Sequence, residues 1–176
     1  MKKNIITLLL YTTCLSASST WAVSDSAKIN VSGKIVSNTC IIDDKLSDLS
    51  PVLDTISDRD LQGVGKTQGQ KKIAIVLKDC GKDTTGVSIK ASGDADKESS
   101  SAFINTATTS AATGVGLYFY ETDLSTLFKP DGSVTEEATL KPGDNTLTYQ
   151  AAYVATKESP GAGDFSAVVN LTLNYK

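Results

Sequence analysis

Three cysteines, several acidic pairs and six tyrosines are the side chains in this 176-residue sequence with chemistry to offer. There is no histidine. That excludes Ser-His-Asp and Cys-His triads, histidine-bearing zinc sites and the commonest general acid and base. Arg59 is the only arginine, which leaves little for bidentate clamps on phosphate or carboxylate. Asp43 with Asp44, and Asp58 with Asp60, have the spacing of carboxylate pairs. Nothing apolar surrounds them to raise one pKa, so they read as charged turns. Asp94, Asp96 and Glu98 are spaced like part of a calcium loop, but the glycine and the other ligands of an EF-hand are not in place, so they read as a solvated turn. Tyr118, Tyr120, Tyr149 and Tyr153 fit sheet positions better than a sugar-binding platform. No catalytic, metal or cofactor motif emerges, and a hydrolase would lack a nucleophile setting.

What the cysteines do depends on the compartment. Lys2 and Lys3 precede an apolar stretch from Ile5 to about Leu15. Thr20-Trp21-Ala22 then ends in a small residue with another two places earlier. These are the three parts of a secretory signal, and the stretch is too short for a membrane span. Cleavage after Ala22 would remove Cys14 and two lysines, making a chain of formal charge -3 and pI near 4.9 more acidic still. That charge argues against a nucleic-acid partner. Cys40 and Cys80 remain, and an exported chain with two cysteines is expected to bond them; two buried free thiols are the alternative. A bond between them would be worth ~4 kcal/mol through loop closure.

The elements that must position these groups are strands. Ile73, Ile75 and Leu77 alternate with Ala74, Val76 and Lys78. Val87 with Ile89, Leu117 with Phe119, and Leu147, Tyr149, Ala151 and Tyr153 repeat the pattern. Phe165, Ala167, Val169, Leu171, Leu173 and Tyr175 share one face of the last segment. Gly- and Pro-rich clusters separate the runs, among them Pro130-Asp131-Gly132, Pro142-Gly143-Asp144 and Pro160-Gly161. A turn of helix is placed near residues 57–61 or 123–127. Residues 92–113 read as surface loops around one short strand near 102–104. Many short strands with regular turns predict an all-β sandwich or barrel. Both chain ends look built to pair: Ile29 and Val31 lie on an extended, weakly apolar segment, and the last strand runs flush to the terminus. Ile29 and Val31 as an extension of this domain's own first strand is the plainer alternative.

Gly33-Lys34-Ile35-Val36 leading to Cys40-Ile41-Ile42-Asp43 resembles the first strand of chaperone–usher pilins. Lys72 through Cys80 resembles their second-cysteine strand, and Gly114-Val115-Gly116-Leu117 their central strand. Asn145 through Tyr153, then Pro160-Gly161 and the strand ending at Tyr175, resembles their C-terminal half. The likeness covers nearly all of the chain after the signal and is close to the major subunit of type 1 fimbriae. It implies an incomplete immunoglobulin-like β-sandwich, the pilin fold, completed by a donor strand from another subunit. The implied division is signal 1–22, donor extension 23–33 and pilin domain 34–176. Ala27, Ile29 and Val31 would be donor residues, Ala27 standing where many relatives carry Gly, with the polar Asp25 continuing their register. Val169, Leu171, Leu173, Tyr175 and Lys176 would form the acceptor groove and the chaperone's recognition point. The implied partners are neighbouring fimbrial subunits, a periplasmic chaperone and an outer-membrane usher. The implied location is a fimbrium on the cell surface, reached through the periplasm, where it supports adhesion. A minor adaptor, tip or lectin-like subunit of the same fold is the second reading. No motif identifies a host receptor.

Overall fold

The computed structural model describes residues 28–33, 35 and 39–176. The chain divides into two units, Met1–Lys34 and Ile35–Lys176. In the first, residues 28–33 carry no regular secondary structure, and Ile29 and Val31 are exposed. The expected signal peptide, Asp25, Ala27 and Lys34 lie outside the described residues.

Among its described residues the second unit is all-β apart from one 3-10 turn, Asp58–Leu61, capped by Ser57, whose Oγ accepts from the Arg59 N–H. Its strands are β1 (Ile41–Ile42), β2 (Thr67–Cys80), β3 (Gly86–Ser92), β4 (Phe103–Ile104), β5 (Val115–Tyr120), β6 (Glu136–Thr139), β7 (Gly143–Ala155) and β8 (Asn170–Tyr175). They form a five-stranded sheet, β1-β2-β7-β5-β4, and a three-stranded sheet, β6-β3-β8. All neighbouring strands are antiparallel.

Period-2 alternation decides which face is buried. Ile73 lies opposite Tyr149 and Ile75 opposite Leu147, and all four are buried. Val87, Ile89 and Ala91 of β3 are buried completely. The inner faces meet in one cluster, in which the Phe119 ring sits 5.4 Å from that of Tyr149 and 5.9 Å from that of Phe128. Gly116 is required by packing: a β-carbon there would lie 2.8 Å from that of Ala102.

The structure departs from the sequence expectations in four places. Residues 123–127 form no helix. The Asp123 carboxylate accepts from the N–H and hydroxyl groups of Ser125 and Thr126 and holds a turn instead, a local competition that Asp often wins. Strand β6 lies outside the sequence expectations: Glu136-Glu137-Ala138-Thr139 has no apolar alternation, and Thr139 is its single β-branched residue. It is an edge strand, where charge is favoured. The first strand is short, with only Ile41 and Ile42 in the ladder and Ile35 exposed. The last strand pairs only from Asn170, because β3 ends opposite it at Ser92 and the next N–H, of Gly93, donates to Pro130 instead. The in–out alternation nevertheless continues back to Phe165.

Candidate functional site: a groove beside the last strand

Strand β8 uses one edge for β3, in register from Val87 with Tyr175 to Ser92 with Asn170. Its other edge has no strand partner among the described residues. Its inward side chains show the consequence. Val169, Leu171, Leu173 and Tyr175 pack against the core but are only partly buried, whereas Ile73, Ile75 and Leu77 on β2 are 6%, 4% and 0% exposed. An apolar row that points inward yet stays half-exposed marks a core lacking one layer of cover.

The space beside that row is a groove of about 700 Å³. One wall is residues 165–173 with Phe165, Ala167, Val169, Leu171 and Leu173. The opposite wall is residues 48–53, where Leu49 and Val52 are exposed and Leu53 is half-buried. Ile73, Ile75, Leu117, Phe119 and Ala151 form the floor. Tyr153 and Phe165 both line the groove, their rings edge-to-face at 5.2 Å. Burial pushes the Tyr153 and Tyr175 phenols above their ordinary range, with Asp54 adding to the effect at Tyr153. The groove offers apolar surface and an open sheet edge, the two features that bind an extended strand.

The chain end is held in the sheet. The Lys176 N–H donates to the Gly86 carbonyl at 2.9 Å, and the Thr85 N–H donates to the Lys176 carbonyl at 3.2 Å. Lys176 Nζ lies 2.5 Å from Glu137 Oε2, an exposed pair worth little in water. Tyr175 does not line the groove itself; it continues the inward row past the groove's end.

A disulfide joins Cys40 to Cys80, linking the segment just before β1 to the far end of β2. The acidic residues serve turns: Asp43 Oδ1 accepts from the N–H groups of Lys45 and Leu46, and Asp96 Oδ1 from those of Glu98 and Ser99. Among the described residues no three His, Cys, Asp or Glu side chains gather as metal ligands. Tyr149 is core, and Tyr118 and Tyr120 are half-buried on β5 with rings 6.2 Å apart. Val169, Leu171 and Leu173, which the family resemblance implies for an acceptor groove, line one wall of this groove. The second wall is not among the sequence expectations, although Leu49-Ser50-Pro51-Val52-Leu53 is a short apolar run broken by proline.

An all-β double sheet with an apolar groove along a free edge defines a class of strand-accepting immunoglobulin-like domains. The Fimbrial protein family model matches residues 29–176, and the chain belongs to that family. It is 34% identical to the laminin-binding fimbrial subunit ElfA of Escherichia coli O157:H7, over 99% of each chain. It is 30% identical to the fimbrial subunit type 1 of Salmonella typhimurium, over 84% of this chain and 82% of that one. Among solved structures, a Burkholderia pseudomallei antigen and type I fimbria protein matches with a TM-score of 0.60 at 30% identity, over 78% of this chain and 89% of that one. The P pilus rod subunit PapA matches with a TM-score of 0.64 at 24% identity, over 78% and 99%, a likeness of fold. The chain is thus a structural fimbrial subunit, displayed at the cell surface.

Proposed function

We propose that this subunit polymerises by donor-strand exchange: the groove beside β8 accepts residues 23–33 of the next copy, placing Ala27, Ile29 and Val31 against the floor. The half-exposed inward row of β8 carries this reading. The alternation of Ile29 and Val31 with Lys28, Asn30 and Ser32, the two apolar residues both exposed in this chain, supplies side chains of the right kind. Each would contribute about 1.5–3 kcal/mol on burial, and each new main-chain hydrogen bond ~1 kcal/mol. Donor and acceptor are different surfaces, so the contact is heterologous and extends without closing. Residues 1–22 are a removed export signal. A periplasmic chaperone strand occupies the same groove before an outer-membrane usher hands the subunit to the fibre. Val169, Leu171, Leu173, Tyr175 and the Lys176 carboxylate are its recognition points. The subunit has no catalytic role.

The test is denaturation of the domain lacking residues 23–33, with and without a synthetic peptide spanning 23–34. Peptide at about 100 times its dissociation constant adds ~2.7 kcal/mol, a rise in melting temperature of roughly 5–10 °C at about 2–4 °C per kcal/mol. A melting curve that the peptide leaves unchanged would remove the donor assignment. The name of the 34%-identical relative motivates a second role, attachment to laminin. Saturable binding of purified fibres to immobilised laminin supports it; background binding rejects it.

A further inference from the structure

Strand β8 is not the only long edge in the molecule. Strand β2 is the longest strand and contains the run Ile73-Ala74-Ile75-Val76-Leu77. On its outer side β1 pairs only with Lys78 and Leu77. Beyond that point the chain leaves the ladder through the turn held by the Asp43 carboxylate. A β-prone, uncharged, five-residue run at an edge is a site for pairing with other chains.

The outward backbone groups of Ala74 and Val76 are nevertheless all satisfied. The Val76 carbonyl accepts from the Asp43 N–H at 2.9 Å, and the Val76 N–H donates to Ser47 Oγ at 2.9 Å. The Ala74 carbonyl accepts from the Asp48 N–H at 2.8 Å, and the Ala74 N–H donates to Asp48 Oδ2 at 3.0 Å. Two side-chain oxygens stand where the carbonyls of a neighbouring strand would be. The remaining edges are protected in other ways: β4 has two residues, and β6 has four, two of them glutamates.

We propose that Ser47 and Asp48 are specificity-determining residues that close the β2 edge and so confine strand acceptance to β8. The inference rests on the reading of the β8 groove as the acceptor. An open β2 edge would compete for the donor segment or join fibres side by side. Closure by side chains leaves the next residues free to turn away and form the second groove wall, which begins at Asp48.

Two measurements on assembled fibres test this. Amide hydrogen exchange of the wild-type fibre should show Ala74 and Val76 protected as strongly as the residues of β2 that face β7. Exchange at the rate of an open edge would overturn the proposal without any variant. The second measurement compares three variants by electron microscopy and amyloid-dye binding. The pair Ser47→Ala with Asp48→Ala should raise the fraction of side-by-side bundled or dye-positive material several-fold. Ser47→Ala alone, which frees a single N–H and is the mildest change, should raise it by a smaller factor. Ser47→Thr keeps the acceptor oxygen, lies outside the groove wall and should match wild type. Separate fibres at wild-type levels in both alanine variants would overturn the proposal, as would bundling of Ser47→Thr equal to that of Ser47→Ala. Failure of the donor peptide to stabilise the domain, by contrast, would count against the groove reading itself.

Discussion

Leu77 and Leu173 show what the site changes about one residue type. Both alternate inward, but Leu77 is completely buried while Leu173 is half-exposed beside the groove. Leu77→Ala should cost about 2–5 kcal/mol whether or not a donor is present, because a full cavity is left behind. Leu173→Ala should cost much less in the isolated domain and approach the same range once the donor peptide is bound. Denaturant titrations with and without peptide read the difference. Equal costs in the two states would mean that no strand covers Leu173. The inward position of Leu173 was legible from its alternation with Thr172 and Asn174. Its partial exposure was not, since spacing decides the face and says nothing about what lies opposite.

Strand β8 and the segment of residues 48–53 line the groove proposed as the acceptor, and residues 23–33 are proposed as the donor; the two proposed functions reside on separate elements. Deleting residues 24–33 while keeping the cleavage region should therefore leave a subunit that accepts a donor but gives none. Expressed alone, it should form no fibre, because it cannot enter the groove of a copy already in place. Fibres of normal length from the deleted subunit alone would contradict the division of roles. Strands β2, β3, β5, β7 and β8 could be read from alternation, and β4 from its place between loops. Strand β6 could not, because an edge strand is specified by the β3 backbone it meets, with Ile89 opposite Glu136, and not by its own residues.

Titrating groups couple the whole domain to pH. Burial, and then Glu136 and Asp123, push the Glu121 carboxyl above its ordinary 4.5. Thr126 and Ser125 hold Asp123 below its ordinary 3.8, Ser133 does the same for Asp131, and Lys78 for Asp144. A carboxyl raised in the folded state contributes stability that is present at low pH and lost as pH rises through the folded value. The depressed aspartates contribute stability that is present above 3.8 and lost as pH falls through their folded values. The Glu121 contribution therefore falls as pH rises through its folded value, and Glu121→Gln should remove that loss. Denaturation midpoints of wild type and Glu121→Gln from pH 3 to 8 check this. A difference between the two midpoints that stays constant with pH would refute the assignment.

The sequence alone determined the all-β class, the pairing of Cys40 with Cys80 and the inner face of most strands. Each of these depends on residue type or on spacing of one or two positions, which covalent geometry converts directly into direction. Only the tertiary structure decided that β8 lies at an edge, that residues 48–53 form the facing wall, and that Ser47 closes the edge of β2 from 29 positions away in sequence. Those features depend on which backbones meet across long loops. Such meetings are chosen by the burial of the whole core and by the need to satisfy every edge hydrogen bond, and no local pattern encodes them.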